Sequence, residues 1–264
     1  MFEIKFNDTT LFKNIIETVD SLVSEVNLQI DPENGLTIAS MDLAHICLVY
    51  LNINTEDCEV FMVDDPIEIG VNLSDLVKIL KRGKKNDSLT ITHNEEERKL
   101  HIVFESSRKR RDFELTDIDL LGENLDMDSL FNMTFNNVTD IRCIDLEESA
   151  KDAEIYAEVL DLSVIEKDGE MTINFATSGN IGIMDSFIKK EILINKNFQE
   201  LSTGIYAISY LLKILKAQKL NKQTTIYLQN DAPIRFDFPL MEESKLLFFL
   251  APRVENEDDV YLEE

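Results

Sequence analysis

Apolar and polar residues alternate in short runs along this chain, and at intervals the two-residue period gives way to a helical one. Phe2, Ile4 and Phe6 alternate with polar neighbours and predict a strand with one buried face. Leu11, Phe12, Ile15, Ile16, Val19, Leu22 and Val23 then recur at helical spacing, with Thr9 or Thr10 placed to cap the helix. A turn at 31–35 separates strand-like runs at 27–30 and 36–40, and further runs follow at 46–52, 60–63 and 67–72. Ser74 opens a short helix in which Leu73, Leu76, Val77 and Leu80 share one face. Lys78, Lys81 and Arg82 share the other, and Gly83 ends the helix. Strands at 88–93, 99–105 and 112–116 complete the first half.

The pattern then repeats. Leu76-Val77-Lys78-Ile79-Leu80-Lys81 returns as Leu211-Leu212-Lys213-Ile214-Leu215-Lys216, an offset of 135 that also relates Ser74 to Ser209, Thr90 to Thr225 and Ile91 to Ile226. A repeat unit of half the chain predicts a duplicated domain rather than a solenoid. Residues 131–136 echo 2–7, a helix is expected over 145–160, and 166–169 leads into 171–176 as 32–35 led into 36–40. Strands at 181–186 and 191–195 precede the second lysine helix, capped by Ser209. Strands at 224–229, 234–239 and 244–250 follow it. The expected class is α+β: two topologically similar domains of antiparallel sheet with helices on one face. The expected limits are 1–116 and 130–254, with 117–129 as connector and 255–264 as an acidic disordered tail.

Composition sharpens this picture in two places. The net charge is −25, so the surface as a whole repels nucleic acid. Its placement is uneven: residues 112–170 hold 18 acids against Arg142, Lys151 and Lys167, whereas 78–85 hold five bases and no acid. Basic stripes on two equivalent helices in an acidic chain suit sequence-independent phosphate attraction, beside the plain alternative of solvated lysines. Cys47, Cys58 and Cys143 are few and scattered, which favours reduced thiols in an intracellular compartment over a disulfide frame. No apolar run approaches the ~18 residues of a membrane span, and the N-terminal residues lack a signal-peptide pattern.

No catalytic constellation stands out. A phosphate loop, a nucleophile elbow and a His-Glu helix pair are all missing, and His45, His93 and His101 lack metal-ligand spacing. Neither an enzyme, a cofactor nor a metal is expected. The run Arg108-Lys109-Arg110-Arg111 reads equally as a solvated loop, a nuclear localisation signal or a phosphate patch.

Met1-Phe2-Glu3, Ser40-Met41-Asp42 with His45, Gly70-Val71-Asn72-Leu73 leading to Lys78-Ile79-Leu80-Lys81, and Leu250-Ala251-Pro252-Arg253-Val254-Glu255 stand in a telling order and spacing. Together they resemble proliferating cell nuclear antigen, the eukaryotic-type DNA sliding clamp, over essentially the whole chain. The resemblance implies three subunits closing head to tail, helices lining a channel and sheets outside. It implies that Lys13, Lys78, Lys81, Arg82, Lys84, Lys213 and Lys216 face double-stranded DNA. It also implies a pocket for clamp-binding peptides of polymerases, a clamp loader and other partners, formed by Met41, His45, Leu48, Leu125, Met127, Pro233, Phe249, Ala251 and Pro252. Subunit contacts are expected between Arg111, Phe113 and Leu115 of one copy and Ile181 and Ile183 of the next, with Lys167 as a modification site. The implied location is the nucleus or the replication compartment of a virus-infected cell.

Glu147, Glu148, Asp152, Glu154 and Glu158 depart from the basic residues the family places there, and Asp20 stands where a lysine is common. An alternative function therefore stands beside the clamp: a monomeric or heteromeric clamp paralogue serving as a protein-interaction module off DNA.

Overall fold

A computed structural model describes residues 2–122, 125–189, 191–230 and 232–253. The expected disordered tail at 255–264 lies outside the described residues. In the first half the order is β1 (Phe2–Phe6), α1 (Thr9–Asp20), β2 (Glu25–Asp31), β3 (Gly35–Met41), β4 (Cys47–Ile53), β5 (Val60–Val63), β6 (Ile67–Asn72), α2 (Leu73–Leu80), β7 (Ser88–Asn94), β8 (Lys99–Glu105) and β9 (Arg110–Thr116). A short helix, α3 (Met127–Phe131), precedes β10 (Asn137–Arg142), α4 (Cys143–Glu154), β11 (Val159–Lys167), β12 (Glu170–Gly179), β13 (Gly182–Phe187), β14 (Ile194–Phe198) and β15 (Ile205–Ala207). Then come α5 (Ile208–Ile214), a 3-10 turn (Leu215–Lys219), β16 (Gln223–Leu228), β17 (Ile234–Pro239) and β18 (Lys245–Leu250).

The duplication is complete at the level of topology. The order β5-β1-β7-β8-β9 has its counterpart in β14-β10-β16-β17-β18, and β4-β3-β2-β6 in β13-β12-β11-β15. Equivalent pairings run antiparallel in both halves, as in β1 with β7 and β10 with β16, or β2 with β3 and β11 with β12. Two compact units divide the described chain. One takes residues up to Met133 with Lys216–Lys222 and Asp237–Phe248. The other takes Thr134–Leu215, Gln223–Phe236 and the described residues from Phe249.

Each unit has its own core. In the first, α1 turns Phe12, Ile15, Ile16 and Val19 inward, and Phe12 stacks on Phe6 of β1 at 4.9 Å. Helix α2 buries Leu73, Leu76, Val77 and Leu80 and touches β2, β6 and β9. In the second, α4 buries Cys143, Leu146, Ala150 and Ala153 and packs on α5, β10, β11, β12 and β13. Cys47 and Cys143 are buried and not joined in a disulfide, and burial beside Asp57 pushes the Cys58 thiol up to about 12.

Several local expectations need correcting. Helix α1 is capped by Asp8, whose carboxylate accepts the Thr10 N–H at 2.7 Å, so Thr9 and Thr10 lie inside the helix. Asn72, not Ser74, caps α2 through the Asp75 N–H at 3.0 Å. Ala207 occupies the cap of α5 without a side-chain bond, so Ser209 is no cap. Gly83 does not end α2 by a left-handed turn, because the helix already stops at Leu80. A Cβ there would instead run into the Thr9 methyl and the Phe104 ring.

The largest error lies at the start of the second half. The first strand is β10, not 131–136, because its inward side chains are Asn137, Thr139 and Ile141. Two of these are polar, so the apolar alternation was invisible. Asn137 donates to Ser202 Oγ at 2.9 Å and accepts the Gln199 N–H at 3.1 Å, while Thr139 donates to the Ile194 carbonyl at 3.1 Å. Such bonds remove the penalty of burying polar groups. The expected helix over 145–160 ends at Glu154, and β11 takes over from Val159.

Candidate functional site

The cations on the first unit's helices stand in two different electrostatic states. Lys78 is exposed, but its ammonium lies 2.7 Å from Asp75 one turn back, and that bond raises its pKa. Lys81 lies 3.9 Å from Glu17, which also accepts a hydrogen bond from Lys219 at 2.9 Å. Arg82, Lys84 and Lys216 are exposed, and Lys13 is half-buried. The Asp8 carboxyl is held below its ordinary 3.8, first by the Thr10 hydrogen bonds and then by the nearby Lys85 and Lys13. Lys219, which sequence reasoning omitted, extends the α5 stripe through the 3-10 turn at three-residue spacing from Lys213 and Lys216. In the second unit Lys213 is half-buried, with its ammonium 5.1 Å from the Tyr210 ring centroid.

Helix α4 has the opposite character. Asp145, Glu147, Glu148, Asp152 and Glu154 face only Lys151 within the helix. Arg142 neutralises Asp145 through two bonds of 2.8 and 2.7 Å, and Lys151 pairs with Glu147 at 2.7 Å. Glu148, Asp152 and Glu154 are exposed and form no ion pair among the described residues. Glu158 lies beyond the helix.

Strands β9 and β13 each stand at one end of a strand order, with one backbone edge unpaired among the described residues. Ile181 and Ile183 are 70 % and 74 % exposed beside that edge of β13. Phe113 packs edge-on against Phe104 at 5.6 Å, and Leu115 lies opposite Leu100 in the ladder; both are half-buried at the rim. Arg111 is engaged within its own unit. It lies over Phe104, donates to the Arg82 carbonyl and pairs with the buried Asp87, so its charge is spent inside its own unit.

The expected peptide-pocket residues divide among several environments. Leu48 is 3 % exposed and belongs to the core, as does Phe249. Asp42 builds the loop after β3. Its carboxylate accepts the N–H groups of Ala44, Ile46 and Cys47 at 3.0, 2.7 and 2.7 Å, leaving Leu43 fully exposed at the tip and His45 outward at φ 55°. Met41 lines a cavity of about 360 Å³ with Leu22, Leu43, Leu120 and Leu121. Met127 lines a different one of about 730 Å³, walled by Tyr50 and Phe131, whose rings meet edge-on at 4.9 Å. Met41 and Met127 thus line different cavities, and neither cavity takes in His45 or Leu125. In the second unit Pro233, Ala251 and Pro252 are half-buried, and the Arg253 N–H ties the chain after them to the Ile205 carbonyl at 2.7 Å.

The segment at 117–122 is strapped to the sheet. Ile118 bridges to Gly70, where a Cβ would collide with the Ile118 carbonyl, and Arg98 holds Asp117 and Asp119 at 2.9 and 2.6 Å. Exposed Lys167 rests its ammonium 3.8 Å above the Phe187 ring, a cation–π contact that strand alternation alone could not reveal. No described helix is long and apolar enough to cross a membrane.

Comparison with known proteins matches this architecture over its whole length. The family model for the N-terminal domain of proliferating cell nuclear antigen matches residues 1–129, and that for its C-terminal domain matches residues 132–253. The DNA polymerase sliding clamp of Thermococcus gammatolerans is 32 % identical over 254 residues, covering 96 % of this chain and 99 % of its own. Proliferating cell nuclear antigen of Saccharomyces cerevisiae is 27 % identical over 265 residues, covering 98 % and 100 %. That of Dictyostelium discoideum is 28 % identical, covering 97 % and 100 %. The chain belongs to the proliferating cell nuclear antigen family.

Proposed function

We propose that this protein is a DNA sliding clamp: a non-catalytic ring of three copies that encircles duplex DNA and tethers a DNA polymerase to it. The full-length family match carries this reading, and the duplicated strand order gives it a physical basis. Within the first unit β18, through Lys245–Phe248, is neighbour to β4. The repeat makes β9 the counterpart of β18 and β13 the counterpart of β4, so a second copy's β13 beside β9 would repeat a junction the fold already makes. Heterologous contacts of this kind close into rings when the rotation per subunit allows. The exposed Ile181 and Ile183 give that contact apolar area to bury.

Topological linkage lets weak, sequence-blind attraction suffice, because an encircling ring cannot leave sideways. Lys78, Lys81, Arg82, Lys84, Lys213 and Lys216 are assigned to the DNA side. The Met41 cavity, with Leu43 and Leu121 exposed at its rim, is assigned to short apolar partner peptides, including those of the polymerase and the clamp loader. Lys167 is a modification candidate, and the site of action is the replication compartment, the nucleus in a eukaryotic host. Size-exclusion chromatography with light scattering tests the assembly. Three copies per particle are expected at micromolar concentration, and a strict monomer would overturn the ring.

A further inference from the structure

We infer that the β8–β9 hairpin and the loop after α2 form a second phosphate-binding edge for duplex DNA, distinct from the lysine faces of α2 and α5. The inference rests on the clamp reading for its occupant; Lys85, Arg108 and Lys109 are the cations it adds, beside Arg82 and Lys84 already assigned to the DNA side. Residues 82–87 and 105–112 hold seven Lys or Arg against three acids, in a chain of net charge −25.

The fold gathers these two segments at one end of the sheet. Ser88 and Arg110 both lie opposite Glu105, and Arg111 reaches across to the Arg82 carbonyl and the Asp87 carboxylate. Of the three acids, Asp87 is 5 % exposed and also accepts the Lys84 N–H at 2.9 Å, so its charge is consumed internally. Asp112 is held by Arg110 at 2.9 Å. Glu105 remains exposed. Against it stand Arg82, Lys84, Lys85, Arg108 and Lys109, all exposed and forming no ion pair among the described residues. Lys78 and Lys81 lie 2.7 and 3.9 Å from carboxylates, whereas Lys85 interacts with Asp8 only at longer range. The free positive charge of this unit thus lies mainly past the end of α2.

The hairpin presents its cations on an ordered turn. The Ser106 hydroxyl accepts the N–H groups of Arg108 and Lys109 at 3.4 and 3.2 Å and donates to the Lys109 carbonyl at 3.1 Å. Neither segment contains an apolar or aromatic residue. Nothing there can anchor a peptide's apolar side chains or stack on a base, so the chemistry fits a phosphate backbone without sequence readout.

The test compares three forms of the intact protein on a 30-bp duplex by fluorescence anisotropy between 25 and 200 mM salt. They are wild type, a variant carrying Lys85→Ala, Arg108→Ala and Lys109→Ala, and one carrying Lys213→Ala and Lys216→Ala. At about 0.9 per phosphate contact, the hairpin variant should flatten the slope of log K against log[salt] by roughly 3, with at least tenfold weaker binding at low salt. Unaltered thermal melting and assembly state would accompany this loss. An unchanged slope in the hairpin variant, with the Lys213 and Lys216 variant weakened, overturns this inference and leaves the clamp reading standing. Wild type that binds no duplex even at the lowest salt overturns this inference, while the clamp reading stands or falls on the assembly state. Polyglutamate serves as the acidic-peptide arm: displacement by polyglutamate lost in the hairpin variant, with its duplex binding intact, assigns the edge to protein and also overturns the inference.

Discussion

Helices α1 and α4 have the same length and the same place in the two halves, yet they are built and charged differently. Helix α1 is capped by Asp8, its first residue is fixed by two hydrogen bonds from Thr9 to the Asp87 carbonyl, and it buries large side chains. Helix α4 has no side-chain cap, and its buried face includes Cys143, Ala150 and Ala153. The acids of α1 are engaged, Glu17 by Lys81 and Lys219 and Asp20 by Ser74 at 2.6 Å, while α4 exposes three acids that form no ion pair among the described residues. Their companions α2 and α5 keep the same apolar-and-lysine repeat. Duplication thus preserved the faces that anchor the sheets and left the outward faces free to diverge. The lysine repeat is carried by the shorter helix of each half, not by the longer one.

The largest expected effect separates the two helices by core packing. Phe12→Ala should lower the unfolding free energy by about 3–5 kcal/mol, and Leu146→Ala by about 2–3 kcal/mol, because α4 is anchored by smaller side chains. Urea denaturation of both variants measures this, and the reverse order would break the comparison. Next comes charge. Glu148→Lys, Asp152→Lys and Glu154→Lys together should raise duplex affinity about tenfold or more at low salt and steepen its salt dependence. Equal affinity would mean that α4 does not face DNA.

Capping comes third. Asp8→Ala should cost about 1 kcal/mol, whereas Arg142→Ala, at a position with no cap bond, should cost less in thermal melting. The smallest effect is a pH dependence. The folded-state pKa of Asp8 is depressed, so its stabilisation is present above the ordinary 3.8 and is lost as the pH falls below it. The stability difference between wild type and Asp8→Ala should therefore shrink on acidification from about pH 5 to about pH 2. A constant difference would show that the cap works without its charge.

Much of the fold was legible because the repeat and the alternation report the same thing at two scales. Leu76, Val77 and Leu80 return as Leu211, Leu212 and Leu215, and strands 60–63 and 67–72 were placed to the residue. What failed had a physical cause in each case. Strand β10 hides behind buried Asn137 and Thr139, whose hydrogen bonds do not register in an apolar pattern. Caps fell one or two residues early, on Asp8 and Asn72, since Asp and Asn accept the free N–H groups as readily as Ser or Thr. At the candidate site, residue type located the cations but not their partners. That Lys81 meets Glu17, and that Arg111 turns inward to Asp87, depends on contacts between segments distant in sequence.

The central claim is that this chain closes around DNA, and linearisation tests it most directly. Protein loaded by a clamp loader onto nicked circular DNA should co-elute with the circle in gel filtration at moderate salt and should be lost after a single double-strand cut. Equal retention on the cut and uncut forms would contradict encirclement, whatever the affinity of the lysine faces.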